Sequence, residues 1–271
     1  MSFFQNCQRV VVKVGSSTLS HSTGKLNLRR IERLVKTLSD LKNAGKQIIL
    51  VSSGAVSAGV AKAALGHTPK TLEEKQAMAS IGQSELMKIY DRFFSDYGHK
   101  VAQILMTRDV VDNPVRLVAA QNTFNTLLSM GCVPIVNEND AVSTDELTKF
   151  GGNDILSAYV SRLCGADVLI NLSDIDGLYD SDPRKNPDAK FIERVECIDE
   201  ILTFAGGAGT ERGTGGMIAK LNAAKLVTER GIPMFILNGH EPEILYTLLD
   251  GGHVGTYFCA PKSARKQENE A

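Results

Sequence analysis

The feature that most constrains the fold of this chain is a series of short apolar runs that alternate with segments of helical periodicity. Six such runs, rich in Val, Ile and Leu, cover residues 9–14, 47–51, 101–106, 133–136, 167–172 and 232–237. Near-continuous apolar runs of this length are typical of parallel strands that are buried on both faces. Their alternation with helices predicts an α/β fold with a mostly parallel sheet that is covered on both sides.

The helical segments carry their own start and stop signals. Thr71, followed three residues later by Glu74, forms a capping box at the start of one helix. Pro at the first helical position and Gly just after the last one are further boundary signals, and Pro114 and Gly45 are examples of them. Helices are therefore expected over residues 28–44, from 72 to near 98, from 114 to near 131, and over 216–230.

The alternation breaks down between Asp174 and Thr214. This stretch contains four turn signals: Asp176-Gly177, Asp182-Pro183, Asn186-Pro187 and Gly206-Gly207. A long irregular stretch inside a compact α/β chain is typical of a segment that handles a ligand. Residues 261–271 are polar and are expected to form a C-terminal tail.

The stretch from Val133 to Ala158 is the strongest candidate for a functional region. Its short strand is followed at once by four polar residues, Asn137, Glu138, Asn139 and Asp140. Asn153 is expected to cap the next helix, and Asp154 lies in its first turn, where the helix dipole favours a negative charge. In an open α/β sheet such strand ends and helix starts face the ligand crevice. The alternative is that both are ordinary loops with capping residues.

Four turns rich in glycine or serine adjoin the predicted elements. They are Gly15-Ser16-Ser17, Ser53-Gly54-Ala55, Gly151-Gly152-Asn153 and Gly213-Thr214-Gly215-Gly216. Glycine lets backbone N–H groups approach a phosphate closely, and a helix N-terminus adds a favourable dipole. Lys13 stands beside the first turn, and Lys220 lies one turn inside the helix after the last. One such turn carries little weight, but four of them with two lysines indicate a polyphosphate site.

Charge and missing motifs argue against several classes of protein. Lys and Arg total 30 against 31 for Asp and Glu, a formal charge of −1, which argues against a general nucleic-acid binder. The sequence lacks G-x-x-x-x-G-K-[ST], and no G-x-G-x-x-G follows a strand, which disfavours Walker-type ATPases and dehydrogenases. No apolar run approaches the roughly 18 residues of a membrane span, and the first residues lack a signal-peptide core, so a cytoplasmic location without membrane contact is expected.

Cysteine and histidine contribute little to the expected chemistry. The five cysteines are scattered and include no C-x-x-C pair, so reduced thiols are expected rather than disulfides or a zinc site. The five histidines fall outside the polar clusters and are interpreted as structural. They are His21, His67, His99, His240 and His253.

Six segments that occur in order between residues 9 and 260 carry a resemblance to a known family. They are VVVKVGSSTL, LVSSGAVSAG, VNENDAV, FGGNDILSA, LSDIDGLYDSDPR and GTGGMIAKL. Together they resemble the amino acid kinase family, and most closely the branch that phosphorylates glutamate. The resemblance implies one domain over residues 1–260, a three-layer α/β/α sandwich with an acid-substrate half at about 1–165 and a nucleotide half at about 166–260. Many members of that branch add a C-terminal PUA domain, and this chain ends before one could begin.

The resemblance also implies roles for individual residues. Lys13 and Lys220 would contact the phosphates, and Asp154 would hold the two lysines in place, so these three are the expected catalytic residues. The acid substrate would be bound by Ser53, Asp140 and Asn153. The nucleotide would be bound by Lys13, Gly15, Gly54, Ser173, Asp174, Thr214, Gly215, Gly216, Met217, Ile218, Ala219 and Lys220.

The implied reaction is ATP-dependent phosphorylation of the L-glutamate side-chain carboxylate to L-glutamate 5-phosphate, the first step of proline biosynthesis. Mg²⁺ bridging the ATP phosphates is the implied cofactor, with no metal site of protein ligands. Proline is the implied feedback inhibitor, acting through residues 141–152, and a dimer or tetramer is the implied assembly. Elementary chemistry agrees with the reaction, since a carboxylate is already ionised at neutral pH and needs no general base. Because two anions must meet, positioning and cations have to carry the catalysis.

One departure from the family pattern leaves the substrate open to question. The family commonly has an Asp where this chain has Gly152. Restoring that carboxylate is expected to tighten glutamate binding by pairing with the substrate ammonium. Two alternatives to the implied reaction remain: a kinase of the same family that acts on another small acid, and a non-catalytic relative that senses a ligand.

Overall fold

The strands form one large sheet and a small ribbon. The computed structural model describes residues 6–143, 150–181, 183, 185–205 and 215–261. Its strands are β1 (Arg9–Val14), β2 (Gln47–Ser52), β3 (Val101–Met106), β4 (Val133–Glu138), β5 (Val168–Ser173), β6 (Leu178–Tyr179), β7 (Phe191–Ile192), β8 (Arg194–Val195), β9 (Met234–Asn238) and β10 (Thr256–Phe258). The large sheet has the order β3-β4-β2-β1-β5-β9-β10-β8, and β6 pairs with β7 in the antiparallel ribbon.

Six strands of the large sheet run in one direction, so the mostly parallel sheet is confirmed. Neighbouring strands from β3 through β9 are all parallel, whereas β10 is antiparallel to β9. The chain builds outward from β1 in both directions, first through β2 to β4 and β3, then through β5 to β9. The carboxyl end of β1 is therefore a topological switch point, the place where an open α/β sheet forms its ligand crevice.

Helices cover both faces of the sheet. They are α1 (Ser16–Leu19), α2 (Leu28–Asn43), α3 (Ala55–Ala63), α4 (Leu72–Asp96), α5 (Asp109–Asp112), α6 (Pro114–Ser129), α7 (Asn153–Leu163), α8 (Ile198–Ala205), α9 (Gly215–Thr228) and α10 (Ile244–Leu249). Alternating side chains of the strands form two separate cores, because successive residues of a strand point to opposite faces. One core packs against α2, α4 and α10 and the other against α6, α7 and α9, which confirms the three-layer sandwich.

The alternation along β1 and β5 places two polar side chains on the same face. Val10, Val12 and Val14 belong to the core under α2 and α4, and Val11 belongs to the core under α7 and α9. Lys13, two residues after Val11, therefore points toward α7 and α9. Asn171 is its register partner on β5 and shares that face.

Two glycines allow α3 and α4 to approach closely enough to position the N-terminus of α3. A Cβ atom on Gly59 would overlap the carbonyl oxygen of Met78, and one on Gly82 would overlap that of Ala55. Any larger residue would therefore push the two helices apart. Since α3 begins at the carboxyl end of β2, this contact fixes the helix start that faces the crevice.

Most boundary signals in the sequence are confirmed, and one is wrong. The capping box is present, because the backbone N–H of Glu74 donates to the Thr71 hydroxyl at 3.2 Å and the Glu74 carboxylate accepts from the Thr71 N–H. Asn153 was expected to be the N-cap of α7, but the N-cap is Gly152 and Asn153 is the first helical residue. Its side chain bonds to the neighbouring strand ends instead of to its own helix.

The segment after β5 is more ordered than its turn signals predicted. Its described residues contain β6, β7, β8 and α8, and each of these three strands is two residues long. The expected tail from residue 262 onward and residues 206–214 lie outside the described residues. All five cysteines are free thiols, and Cys7, Cys132 and Cys164 are buried. Among the described helices, none is long and apolar enough to cross a membrane.

Candidate active site

Polar side chains gather at the carboxyl edge of an otherwise apolar sheet. Lys13, Asn137 and Asn171 are buried near the ends of β1, β4 and β5, on strands whose other residues are nearly all apolar. Burying a polar side chain without a partner is costly, so such residues are expected to bond to one another or to a ligand. They form two connected groups at the switch point, one ionic and one uncharged.

The ionic group is a carboxylate held between two ammonium groups. Asp154 Oδ1 lies 2.6 Å from Lys13 Nζ, and Asp154 Oδ2 lies 3.1 Å from Lys220 Nζ. The Asn171 side-chain amide also donates to Asp154 Oδ1, at 2.6 Å. We refer to Lys13, Asp154, Asn171 and Lys220 as the charge cluster. Its members come from four elements: β1, the first turn of α7, β5 and the second turn of α9.

The charge cluster carries an excess of positive charge in a buried place. The three ionic side chains are at most 11 % exposed. Burial alone would raise the pKa of Asp154, but the ammonium groups of Lys13 and Lys220 and the hydrogen bonds from Lys13 and Asn171 outweigh it and hold that pKa below its ordinary value of 3.8. Burial, aided by the nearby Lys220 charge, lowers the pKa of Lys13 despite its bond to Asp154. An anionic ligand at this place would offset the desolvation cost of burying the second ammonium group.

Two of the predicted glycines lie at helix starts that follow β1 and β2. Gly15 follows β1 directly and is the N-cap of α1, and a Cβ placed on it would lie 3.5 Å from Lys13 Nζ. Gly54 is the N-cap of α3 and has φ +108°, a conformation that favours glycine. The predicted glycine turns at residues 15, 54 and 152 all precede a helix, as expected.

The uncharged group is a chain of amide side chains. Asn153 Nδ2 donates to Ser53 Oγ and to Asn137 Oδ1, both at 2.9 Å. Asn137 Nδ2 in turn donates to Gln83 Oε1 at 3.0 Å. We refer to Ser53, Gln83, Asn137 and Asn153 as the amide network. Because each amide is oriented by the next one, the network fixes the side chains that line the adjoining cleft.

A cleft of about 260 Å³ lies between the amide network and the N-terminus of α3. Its lining residues are Ser16, Ser53, Gly54, Ala55, Val56, Ser57, Asn137, Glu138, Asp140, Gly152 and Asn153. The N-terminus of α3 offers backbone N–H groups that suit a carboxylate, and the carboxylates of Glu138 and Asp140 suit an ammonium group. The cleft therefore has the polar complement of a small amino acid.

A larger cavity of about 650 Å³ lies between α4 and the edge strand β3. It shares Ala55, Glu138 and Asp140 with the smaller cleft, and neither lining includes a residue of the charge cluster. The smaller cleft is adjacent to that cluster along the chain, because it is lined by Gly152 and Asn153, which directly precede Asp154.

Most of the expected nucleotide residues lie at the end of β5 and in α9, whereas Gly54 lines the smaller cleft. The Ser173 hydroxyl donates to Asp174 Oδ1 at 3.2 Å at the end of β5, and Asn238 at the end of β9 donates to Asp176 at 2.7 Å. Gly215 begins α9, and Gly216, Met217, Ile218 and Ala219 form its first turn, with Met217 packed against the core. Thr214 lies outside the described residues.

The sequence prediction missed three residues that the structure adds to the site. Asn171, Asn137 and Gln83 were not given a catalytic or binding role by the sequence. Asn171 bonds to Asp154 and Asn137 bonds to Asn153, and both of those partners were expected. Gln83 bonds to Asn137. A signal for Asn171 was available, because it is the one amide in the apolar run from Val168 to Leu172. Gln83 lies in the middle of the long helix α4 and has no comparable signal.

Comparisons with known proteins show what this chain is similar to. A family profile described as the Amino acid kinase family matches residues 8–238. The glutamate 5-kinase of Clostridium perfringens (strain 13 / Type A) is 54 % identical over 262 residues, covering 95 % of this chain and 97 % of the relative. The glutamate 5-kinase of Listeria monocytogenes serotype 4a is 49 % identical over 262 residues, covering 95 % of each chain.

Solved structures resemble the fold at much lower sequence identity. An isopentenyl phosphate kinase aligns with a TM-score of 0.65 and 17 % identity over 93 % of this chain and 100 % of that one. The UMP kinase of Bacillus anthracis aligns with a TM-score of 0.62 and 15 % identity over 94 % of this chain and 96 % of that one. At such identities the likeness concerns the fold alone.

Proposed function

This chain belongs to the amino acid kinase family, and we propose that it transfers the γ-phosphoryl group of ATP to the side-chain carboxylate of L-glutamate. The product is L-glutamate 5-phosphate, and the reaction is the first step of proline biosynthesis. The observation that carries the proposal is the pair of buried lysines held by Asp154 beside a small cleft with the polar complement of an amino acid. Relatives that share about half of their residues with nearly the whole chain are glutamate 5-kinases.

We infer that glutamate binds in the cleft with its side-chain carboxylate toward Lys13. The Ser53 hydroxyl would donate a hydrogen bond to a substrate oxygen, and the Asn153 side-chain carbonyl and the carboxylate of Asp140 would accept from the substrate ammonium. The N-terminus of α3 supports this orientation, because its N–H groups favour a negative group at that end. The amide network holds Asn153 in place through Asn137.

ATP is assigned to the side of the charge cluster formed by β5, β9 and α9. A side-chain carboxylate oxygen of glutamate forms a bond to the γ-phosphorus while the bond from that phosphorus to the β,γ-bridging oxygen breaks, and ADP leaves. No proton has to be removed from the nucleophile. Lys13 and Lys220 offset the charge of the transferring group, and the N–H groups at Gly15 and Gly54 stabilise its oxygens. Asp154 keeps both lysines oriented without accepting a proton, since its pKa is held low.

Magnesium is part of this proposal as an ion carried by the nucleotide. Mg²⁺ prefers oxygen ligands and is commonly bound by one or two carboxylates together with substrate phosphates. The Asp174 carboxylate and the Ser173 hydroxyl at the end of β5 are donors of that kind. When bound, the ion would supply further positive charge to the phosphates.

Three finer features are proposed from the family alone. They are a cytoplasmic location, assembly as a dimer or tetramer, and feedback inhibition by proline through residues 141–152. Glu138 is the described residue that bears on the last of these, because its Oε1 accepts from the Ser143 hydroxyl and from the Phe150 N–H, on either side of residues 144–149. The same carboxylate lines the cleft, so a change at those residues would reach the substrate.

The proposal is tested by trapping the acyl phosphate. The protein is incubated with L-glutamate, ATP, Mg²⁺ and hydroxylamine, and the hydroxamate is measured. Parallel reactions contain L-aspartate, N-acetyl-L-glutamate or no acid. We expect hydroxamate and ADP in equal amounts with glutamate and at least tenfold less with the other acids. Efficient turnover of another acid with none of glutamate would reject the substrate, and ATP binding without any turnover would reject the catalytic role.

A further inference from the structure

Asn171 is a polar side chain at a fully buried strand position, where an apolar side chain is normally found. It lies in β5 between Ile170 and Leu172, and the strand residues from Val168 to Leu172 are all fully buried. A buried parallel strand is normally filled with Val, Ile and Leu. Within the described part of the chain, Asn171 Oδ1 is buried without a hydrogen-bond partner. An unmade bond of this kind costs stability, so the folding of β5 does not account for the amide.

The other end of the same amide is bound to the charge cluster. Asn171 Nδ2 donates to Asp154 Oδ1 at 2.6 Å, and Lys13 Nζ lies 2.6 Å from the same oxygen. Asn171 is also the register partner of Lys13, so neighbouring strands present the two donors side by side to one carboxylate. Asp154 Oδ2 is left to Lys220.

We propose that Asn171 is a positioning residue for phosphoryl transfer, acting through Asp154. This inference rests on the proposed function. Asn171 provides a neutral donor that keeps the Asp154 carboxylate fixed and ionised while Lys13 turns one of its N–H bonds toward the phosphate. Asn171 does not touch glutamate or ATP in this account.

The need for a neutral donor follows from the charges around Asp154. Lys13 faces it from β1, Lys220 from α9, and the carboxylate of Asp174 acts on Lys13 from the end of β5. When the lysines are drawn to phosphate oxygens, their hold on Asp154 weakens, and a carboxylate with two departing partners would rotate or take up a proton. An uncharged amide is not attracted by the phosphates in the same way, so its bond to Oδ1 persists through the reaction. A third cation there would add to the positive excess instead.

The test replaces Asn171 by Leu, which has a similar volume and suits a buried strand. We expect Asn171→Leu to be folded, with a melting temperature no lower than that of the native protein, because the unmatched Oδ1 is removed along with the donor. We expect kcat to fall by about tenfold to a hundredfold, by analogy with the loss of groups that orient metal ligands. The KM values for glutamate and ATP should change by less than about threefold, since neither substrate is bound by Asn171.

The pH dependence separates positioning from a merely structural effect. The pKa of Asp154 lies below its ordinary value, so activity that needs the ionised carboxylate is lost only as the pH falls through that lowered value. Without the Asn171 donor the pKa should rise, and the acid limb of kcat/KM should move to higher pH. The ¹³C resonance of the Asp154 carboxyl, titrated without substrates, should move in the same direction and gives a readout that does not depend on activity.

Two further variants make the result decisive. Asn171→Ala removes the same donor and serves if the Leu side chain does not fit. Thr37→Val removes another fully buried polar group, whose hydroxyl donates to the Arg33 carbonyl in α2, and should leave kcat and the pH profile unchanged. An unaltered kcat and an unaltered Asp154 titration in both Asn171 variants would overturn the inference. If the native protein does not phosphorylate glutamate, the proposed function fails, while the carboxyl titration still decides whether Asn171 controls Asp154.

Discussion

The charge cluster and the amide network lie side by side at the same edge of the sheet. The first consists mainly of ionic side chains, and the second consists of uncharged ones. The charge cluster has three ionic side chains, two of one sign, in a nearly water-free place. The amide network has no charge, and its members orient one another through neutral hydrogen bonds. The first arrangement is strained electrostatically without an anion. The second has no ionic charge to balance, although within the described residues Gln83 Nε2 is buried without a hydrogen-bond partner.

This difference in charge indicates that the two regions have different roles in the reaction. A group of cations that gains most when negative charge arrives is suited to stabilising the transferring phosphoryl group. A neutral network beside a cleft is suited to holding a small substrate in a fixed pose. Changes in the charge cluster should therefore appear mainly in kcat, and changes at the cleft mainly in the KM for glutamate.

Asp154→Asn should have the largest effect, because it removes the charge that both lysines share. The two buried ammonium groups would be left without a counterion, which we expect to cost about 3–5 kcal/mol of stability and at least a thousandfold in kcat. ATP should raise the melting temperature of this variant more than that of the native protein, since the phosphates replace the missing charge. Scanning calorimetry with and without ATP measures this, and an equal ATP effect in both proteins would contradict it.

Asp167→Asn is the matched control for that change. Asp167 is another carboxylate that accepts structural hydrogen bonds, from the N–H groups of Gln8 and Arg9 at 2.7 and 2.8 Å. It lies at the opposite edge of the sheet, before β5. We expect this variant to lose stability without a change in kcat or in the ATP effect.

Lys220→Ala should come next. The lost cation acts mainly on the transition state, so we expect kcat to fall by about 10²–10³, or about 3 kcal/mol, with a small change in the glutamate KM. Lys225→Ala is the control on the same helix, because the Lys225 side chain is 39 % exposed and pairs with Asp199, which is outside the cluster. Steady-state kinetics of both variants measure the two changes in kcat and KM. A normal kcat in Lys220→Ala would show that this lysine does not take part in catalysis.

Asp140→Ala should affect the other region. We expect the glutamate KM to rise by about tenfold or more while the ATP KM stays nearly constant, because the carboxylate lines the cleft assigned to the acid and belongs to neither β5 nor α9. Asp91→Ala is the control, since Asp91 lines the larger cavity alone. A rise in the ATP KM for Asp140→Ala, or a rise in the glutamate KM for Asp91→Ala, would mean that glutamate has been assigned to the wrong space.

Gly152→Asp should have the smallest kinetic effect. Gly152 has φ +110° and ψ 166°, a region that is essentially restricted to glycine, so an Asp at this position would strain the backbone. That strain is present with or without substrate and should lower the melting temperature. A Cβ there meets nothing within 4 Å, so the new carboxylate can enter the cleft. We expect the glutamate KM to fall by about tenfold, worth about 1.4 kcal/mol, and an unchanged or higher KM would contradict this.

The sequence predicted the sheet and the charge cluster better than it predicted the amide network. Lys13 could be found because a lone charge in an apolar strand stands out, and Asp154 and Lys220 because each lies in the first or second turn of a helix after glycine. The bonds from Asn153 to Ser53 and Asn137 join residues 100 and 16 positions apart, and no local pattern encodes them. The short strands β6 to β8 were missed because each has only two residues and pairs with a segment distant in the sequence. Helix α8 was overlooked although Ile198, Ile201 and Leu202 have helical spacing.

The division of work between the two regions is tested most directly by glutamate binding to a protein that lacks catalysis. Lys13→Met keeps the length of the side chain and removes its charge, while Asp154 retains Lys220 and Asn171 as partners. Titration calorimetry with a non-hydrolysable ATP analogue and Mg²⁺ gives the Kd for glutamate. We expect that Kd to lie within about threefold of the native value although turnover is lost. A loss of glutamate binding together with turnover would show that the charge cluster binds the substrate and that the two regions are not separate.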